Sequence, residues 1–194
     1  MKLITIQNRK ALNLLKNDKP FISDFNQILK KDTYSSKLDS EKYEITKIKS
    51  YQILMRHYGY INSPIFCCVV NRIANFHTVN LNKNNVIIEL EVPDEYVRLM
   101  LSDKWIYLFF EVYQELWTDS LYKIYEDYLD GKGADDTNSA INAIIPYIKP
   151  EWVLGIWNIP KDFIKPHTDI RIKDFSWYDT LLWTNNFAKE VLWG

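Results

Sequence analysis

The heptapeptide Val86-Ile-Ile-Glu-Leu-Glu-Val92 constrains the fold more than any other stretch. It is strand-length, rich in β-branched residues, preceded by the turn signal Asn82-Lys-Asn-Asn85 and closed by Pro93. A single strand is not stable alone, so the chain must supply partner strands and a cover for at least one face. Ile88 and Leu90 fall on one face, and Glu89 and Glu91 on the other. The two carboxylates therefore read as a solvated face before they read as a hydrolytic pair.

Four further runs read as strands: residues 2–7, 65–70, 152–157 and 169–172. Helical periodicity marks residues 9–17, entered through Asn8, and residues 22–31. A stronger helix runs from Ile45 to Tyr58 and is stopped by Gly59. Pro93 with Asp94 and Glu95 predicts a short helix reaching Leu101. Ser102-Asp103 then opens a helix carrying Trp105, Tyr107, Phe109, Phe110, Tyr113 and Trp117, apolar around much of its circumference and so central to the core. Thr118 or Asp119 opens a helix that Gly131 stops, Thr137 or Ser139 one that Pro146 stops, and residues 176–192 form a last helix. Strands and helices mix without a βαβ series. The expectation is a single α+β domain over residues 1–194, with a mixed or antiparallel sheet of about five strands and flanking helices.

The chain has 194 residues, 47% apolar and 15% aromatic, enough for a large core. No segment has the length of a signal or a membrane span, and two adjacent cysteines build no disulfide framework, so a cytoplasmic protein without a membrane partner is expected. Residues 1–58 carry twelve Lys/Arg against six Asp/Glu, and residues 88–136 carry four against thirteen. The acidic middle docking on the chain's own basic third accounts for this better than a nucleic-acid face, because the basic residues lack interleaved aromatics and any nucleic-acid motif.

Cys67-Cys68 lacks the two-residue spacing that lets thiolates share a metal or a redox centre. On a strand the two thiols point to opposite faces among apolar neighbours, which predicts inert, buried cysteines. His57, His77 and His167 show no ligand spacing, so no metal site is expected. His57 falls at a helix C-terminus, where its charged form suits the dipole. His77 is the general acid/base candidate, from its expected place at the sheet edge. The loop Asp130-Gly-Lys-Gly-Ala-Asp-Asp136 lacks the pattern of a phosphate or calcium loop.

Four motifs in order resemble an uncharacterised bacterial family, domain of unknown function 3841. They are Leu3-Ile-Thr-Ile-Gln7; Tyr51, Met55 and Arg56 leading to Ser63-Pro-Ile-Phe66; Glu91-Val-Pro93 followed by Leu101-Ser-Asp103 and Trp105; and the late stretch Trp152 to Trp157. The match spans about residues 1–165. Phe66 stands where the family has Trp, and Val153-Leu-Gly-Ile156 stands where a polar stretch is expected. The element order is also similar to ADP-ribosyltransferase-like folds. Thr5 occupies the first-strand position there and no glutamate occurs between Trp152 and Ile159, which argues against NAD chemistry. That likeness implies a pocket for a nucleotide-like small molecule, with no cofactor specified. Arg56 would hold its phosphate or carboxylate, His77 would act as acid/base, Gln7 and Asp103 would position it, and Trp105 or Trp157 would stack. The competing expectation is a non-catalytic inhibitor or adaptor in bacterial or phage conflict. It would bind a protein partner through the acidic middle, the aromatic helix or the Trp-rich tail.

Overall fold

The computed structural model describes residues 1–24, 40–70, 84–133 and 141–158. Within them lie six strands: β1 (Lys2–Asn8), β2 (Ile65–Val69), β3 (Asn85–Glu91), β4 (Arg98–Leu101), β5 (Ile141–Ile145) and β6 (Val153–Asn158). They form one sheet in the order β4-β5-β2-β1-β3-β6, and every neighbouring pair is antiparallel. Four α-helices accompany the sheet: α1 (Lys10–Leu15), α2 (Ser40–Tyr58), α3 (Ser102–Tyr113) and α4 (Asp119–Leu129). The architecture is α+β with an antiparallel sheet, as expected, and with one strand more than the sequence indicated.

The sheet is covered on both sides. Leu3, Ile65, Cys67, Val86, Ile88, Leu90, Ala143 and Ile145 face one core, where Leu12 and Leu15 of α1 pack with Trp152. Met100 and Ile144 face a second core, closed by Leu54 of α2, Trp105, Leu108 and Val112 of α3, and Tyr125 and Leu129 of α4. Register puts Ile4 opposite Cys68 and Leu3 opposite Val69, so the cysteines alternate between the two faces. Both thiols are free and buried. Two-sided burial explains why β2 is a continuous apolar run, and why β5 is buried at every position and apolar at all but Asn142.

The same two-sidedness explains two corrections. The segment halted by Pro146 was expected to be helical but is β5, buried at every position. A short apolar run has no period that separates a buried strand from a buried helix, and here the branched Ile141, Ile144 and Ile145 favour the strand. The expected helix from Pro93 to Leu101 is a single 3-10 turn at Asp94–Tyr96 followed by β4. Leu99 pairs with Ala143 and Leu101 with Ile141, so sheet pairing overrides the N-terminal helix signal. The aromatic helix also stops at Tyr113, before Trp117, where Glu115 turns the chain at φ 61. His77, most of the helix expected at 22–31, the strand at 169–172, the last helix and the Trp-rich tail lie outside the described residues.

Candidate functional site

Two helices end at the same place. In α2 the last turn carries Arg56, His57 and Tyr58, and Gly59 follows at φ 67. The Tyr60 amide returns to the Met55 carbonyl at 2.8 Å, the longer of the two bonds of a Schellman close. In α4 the Thr118 hydroxyl caps the start by accepting from the Leu121 amide. At its end Gly131, at φ 86, donates to the Tyr128 carbonyl at 3.2 Å and Lys132 to the Asp127 carbonyl at 2.9 Å. The two helix ends are then joined directly, since the Tyr58 hydroxyl donates to the Leu129 carbonyl at 2.7 Å.

This junction lines up three side chains. The His57 ring lies 2.8 Å through Nε2 from Asp130 Oδ1 and 2.9 Å through Nδ1 from the Tyr122 hydroxyl. A carboxylate only accepts, so Nε2 carries the hydrogen, and in the neutral ring Nδ1 accepts from the Tyr122 O–H. His57 is buried to 6% side-chain exposure, while Asp130 is 66% exposed. The chain therefore runs from solvent, through a shielded imidazole, to a half-buried phenol. Burial, then the charges of Glu126 and Asp130, raise the Tyr122 phenol above its ordinary value, and Arg56 opposes them. Tyr122 thus holds its proton at neutral pH. Tyr58 is raised chiefly by burial, and Tyr60 is pushed up to about 12 by burial against the pull of Arg98. Arg56 and Lys132 sit in or just past the last turns of the two helices, at the negative ends of their dipoles.

The sequence-predicted residues are dispersed. Arg56 is exposed at this junction and within electrostatic range of Tyr122. Asp103 is exposed in the first turn of α3, where its carboxylate accepts from the Lys104 amide at 2.9 Å. Trp105 is buried in the core, edge-on to Tyr51 at 5.4 Å and tilted against Phe66 at 5.0 Å. Gln7 projects from β1 on the face of Leu3 and Thr5, opposite the helical layer of Arg56 and Asp103. Its amide donates to Thr5 Oγ1, which donates in turn to the Phe66 carbonyl. Trp157 lies on β6 in register with Ile87.

His57 was read from sequence only as a helix-end cation, and Tyr122 and Asp130 were not singled out. The available signal was the pair of stop glycines, Gly59 and Gly131, which mark two helix C-termini, although only the fold shows that they meet. Among the described residues no group of three or more His, Cys, Asp or Glu side chains could hold a metal. No described helix is long and apolar enough to cross a membrane.

The sequence profile of the family described as Domain of unknown function (DUF3841) matches residues 2–158. The chain belongs to that family. The match includes β1 through β6, and so contains the whole sheet and the His57 junction. No curated protein and no solved structure matches the chain.

Proposed function

We propose that this DUF3841 protein binds a small anionic, nucleotide-like ligand at the α2–α4 junction, with Tyr122 as proton donor to it. The observation that carries the reading is the Asp130–His57–Tyr122 chain, with both imidazole nitrogens engaged inside 3 Å and the exposed Arg56 within electrostatic range of Tyr122. A phenol that stays protonated at neutral pH is suited to general acid work. For Tyr122 to give its proton to a basic ligand atom, its O–H must turn away from His57; a doubly protonated His57 then donates Nδ1–H to the phenol oxygen and refills it, while Nε2–H stays on Asp130. Arg56 supplies the planar fork that phosphate or carboxylate oxygens recognise. The likeness to ADP-ribosyltransferase-like folds contributes only the choice of NAD as a probe. Thr5, at the first-strand position, spends its hydroxyl on the Phe66 carbonyl.

The test is calorimetric titration of the native protein and of Arg56→Gln and Tyr122→Phe with NAD, ADP, AMP and inorganic phosphate. Binding of at least one probe, lost in Arg56→Gln and retained in Tyr122→Phe, supports the site and leaves Tyr122 to the chemistry. Absence of binding by all four probes at millimolar concentration removes the proposal.

A specific observation supports a second reading, a protein-interaction module. Ile106, Tyr107 and Phe110 form an exposed stripe on α3, and Ile124 is 62% exposed on α4. Both helices lie in the acidic middle of the chain, so the partner would offer an apolar surface rimmed by basic groups. Phe110→Glu should leave stability unchanged and abolish capture of such a partner. Unchanged capture by this variant would exclude the stripe.

A further inference from the structure

On the opposite face of the sheet from the His57 junction, three aromatic rings surround a cation. Tyr147 stacks on Trp152 with centroids 5.4 Å apart and planes at 17°, and Tyr96 closes the group at 5.1 Å from Trp152 and 5.9 Å from Tyr147. The Lys149 ammonium lies 5.4 Å from the Trp152 ring, 5.5 Å from Tyr96 and 6.0 Å from Tyr147. Its only ion pair among the described residues is a long one, 3.7 Å to the exposed Glu151. Beside the rings opens a cleft of ≈ 400 Å³, walled by Tyr147, Pro150, Pro20 and the half-exposed Ile22, with Asp18 and Glu151 at its rim.

We propose that Tyr96, Tyr147 and Trp152 are a receptor for a small quaternary ammonium ligand, kept filled in the free protein by Lys149. The negative faces of aromatic rings attract a cation most strongly when it is desolvated. A quaternary ammonium sheds water more easily than a primary one, because it has no N–H to hydrate. Lys149, part-exposed at 35% and weakly tied, can swing into solvent when a better cation arrives. The adjoining cleft shares Tyr147 and Lys149 with the ring cluster, and its apolar walls and the carboxylates of Asp18 and Glu151 would face the rest of the ligand. The site is independent of the junction reading, since it uses other residues on the other face of the sheet.

Isothermal titration with tetramethylammonium chloride tests this, against sodium chloride at equal ionic strength. Native protein should bind with a millimolar dissociation constant. Lys149→Gln removes the resident cation and should bind about tenfold tighter, within the range of one cation–π contact. Adding Tyr147→Leu or Tyr96→Leu to Lys149→Gln should abolish binding, and near-ultraviolet circular dichroism checks that each variant stays folded. Both tyrosines are only half-buried, so neither change hollows the core. The proposal is overturned if Lys149→Gln binds no tighter than native protein, if sodium gives the same heat, or if the folded double variants still bind. A trimethyllysine peptide binding more tightly than tetramethylammonium would overturn the assignment to a small-molecule ligand.

Discussion

Gly131 offers the sharpest test of how the His57 junction is built, because Gly59 is its natural control. Both close a helix in the left-handed region, at φ 86 and φ 67. A Cβ at Gly59 meets nothing within 4 Å, so Gly59→Ala pays only the conformational penalty, about 1–2 kcal/mol. A Cβ at Gly131 would sit 2.9 Å from the Leu99 carbonyl oxygen and 3.6 Å from Leu99 Cβ. That oxygen is backbone of β4, which is hydrogen-bonded to β5, so no side-chain rotation relieves the contact. Displacing packed chain adds about 1–3 kcal/mol. Gly131→Ala should then lose about 2–5 kcal/mol against about 1–2 for Gly59→Ala, a large share of the ~5–15 kcal/mol of a typical domain. Urea denaturation followed by tryptophan fluorescence measures both midpoints. Asp130 precedes Gly131, so the same substitution should also disturb the His57 ring signals in nuclear magnetic resonance. Equal destabilisation of the two variants would refute the close packing of the α4 end on β4.

Alkaline pH should destabilise the protein. Burial pushes Cys67 up to about 12 and raises Cys68, Tyr58 and Tyr60 in the same direction. The folded state holds these protons more tightly than the unfolded chain. The stabilisation is complete below the ordinary thiol value of 9.0 and is lost as pH rises from there towards 12. The slope approaches about 1.4 kcal/mol per pH unit for each group titrating, and Cys67→Ala should flatten it. Constant stability from pH 8 to 11 would contradict this. The same burial should leave both thiols unreactive towards a disulfide reagent until the protein unfolds, and fast native-state labelling would sink that expectation. Ser50 on α2 is fully buried and its hydroxyl has no hydrogen-bond partner among the described residues, so Ser50→Ala should stabilise by about 1 kcal/mol. A loss of similar size would show that the hydroxyl is satisfied after all.

What was legible in the sequence follows from how local each cause is. β3 was plain because alternation, a preceding turn and Pro93 all lie within one stretch of twelve residues, 82–93. The start of α4 at Thr118, its stop at Gly131 and the stop of α2 at Gly59 were plain for the same reason. β4 and β5 were not, since each is defined by its partner: Leu99 and Met100 become strand because Ala143 and Asn142 lie opposite. The split of the cysteines between faces needed only the two-residue period of a strand. The His57 junction needed contacts across 65 and 73 residues, which no local pattern encodes.

The charge pattern bears on that junction in a way a list of motifs does not. Within the described residues the basic first third meets the acidic middle at Met1–Asp94 (2.9 Å), Lys42–Glu115 (3.5 Å) and His57–Asp130 (2.8 Å). The exposed pairs, Met1–Asp94 and Lys42–Glu115, are worth about 0–1 kcal/mol each, too little to hold the helices down against the apolar contacts of Leu54, Leu108 and Leu129. Their value lies in where they leave opposite fields side by side. Tyr122 feels Glu126 and Asp130 from its own acidic helix and Arg56 from the basic one. A phenol placed at such a seam responds to any added anion: one that neutralises Arg56 removes the influence that lowers Tyr122 and makes its proton still harder to lose. A ligand that engages Arg56 and also takes the Tyr122 proton must therefore have a strongly basic acceptor atom. That requirement favours a leaving oxygen that becomes an alkoxide over a phosphate dianion or a resonance-stabilised carboxylate, either of which is too weak a base to take the proton, and so narrows the ligands worth testing at this site.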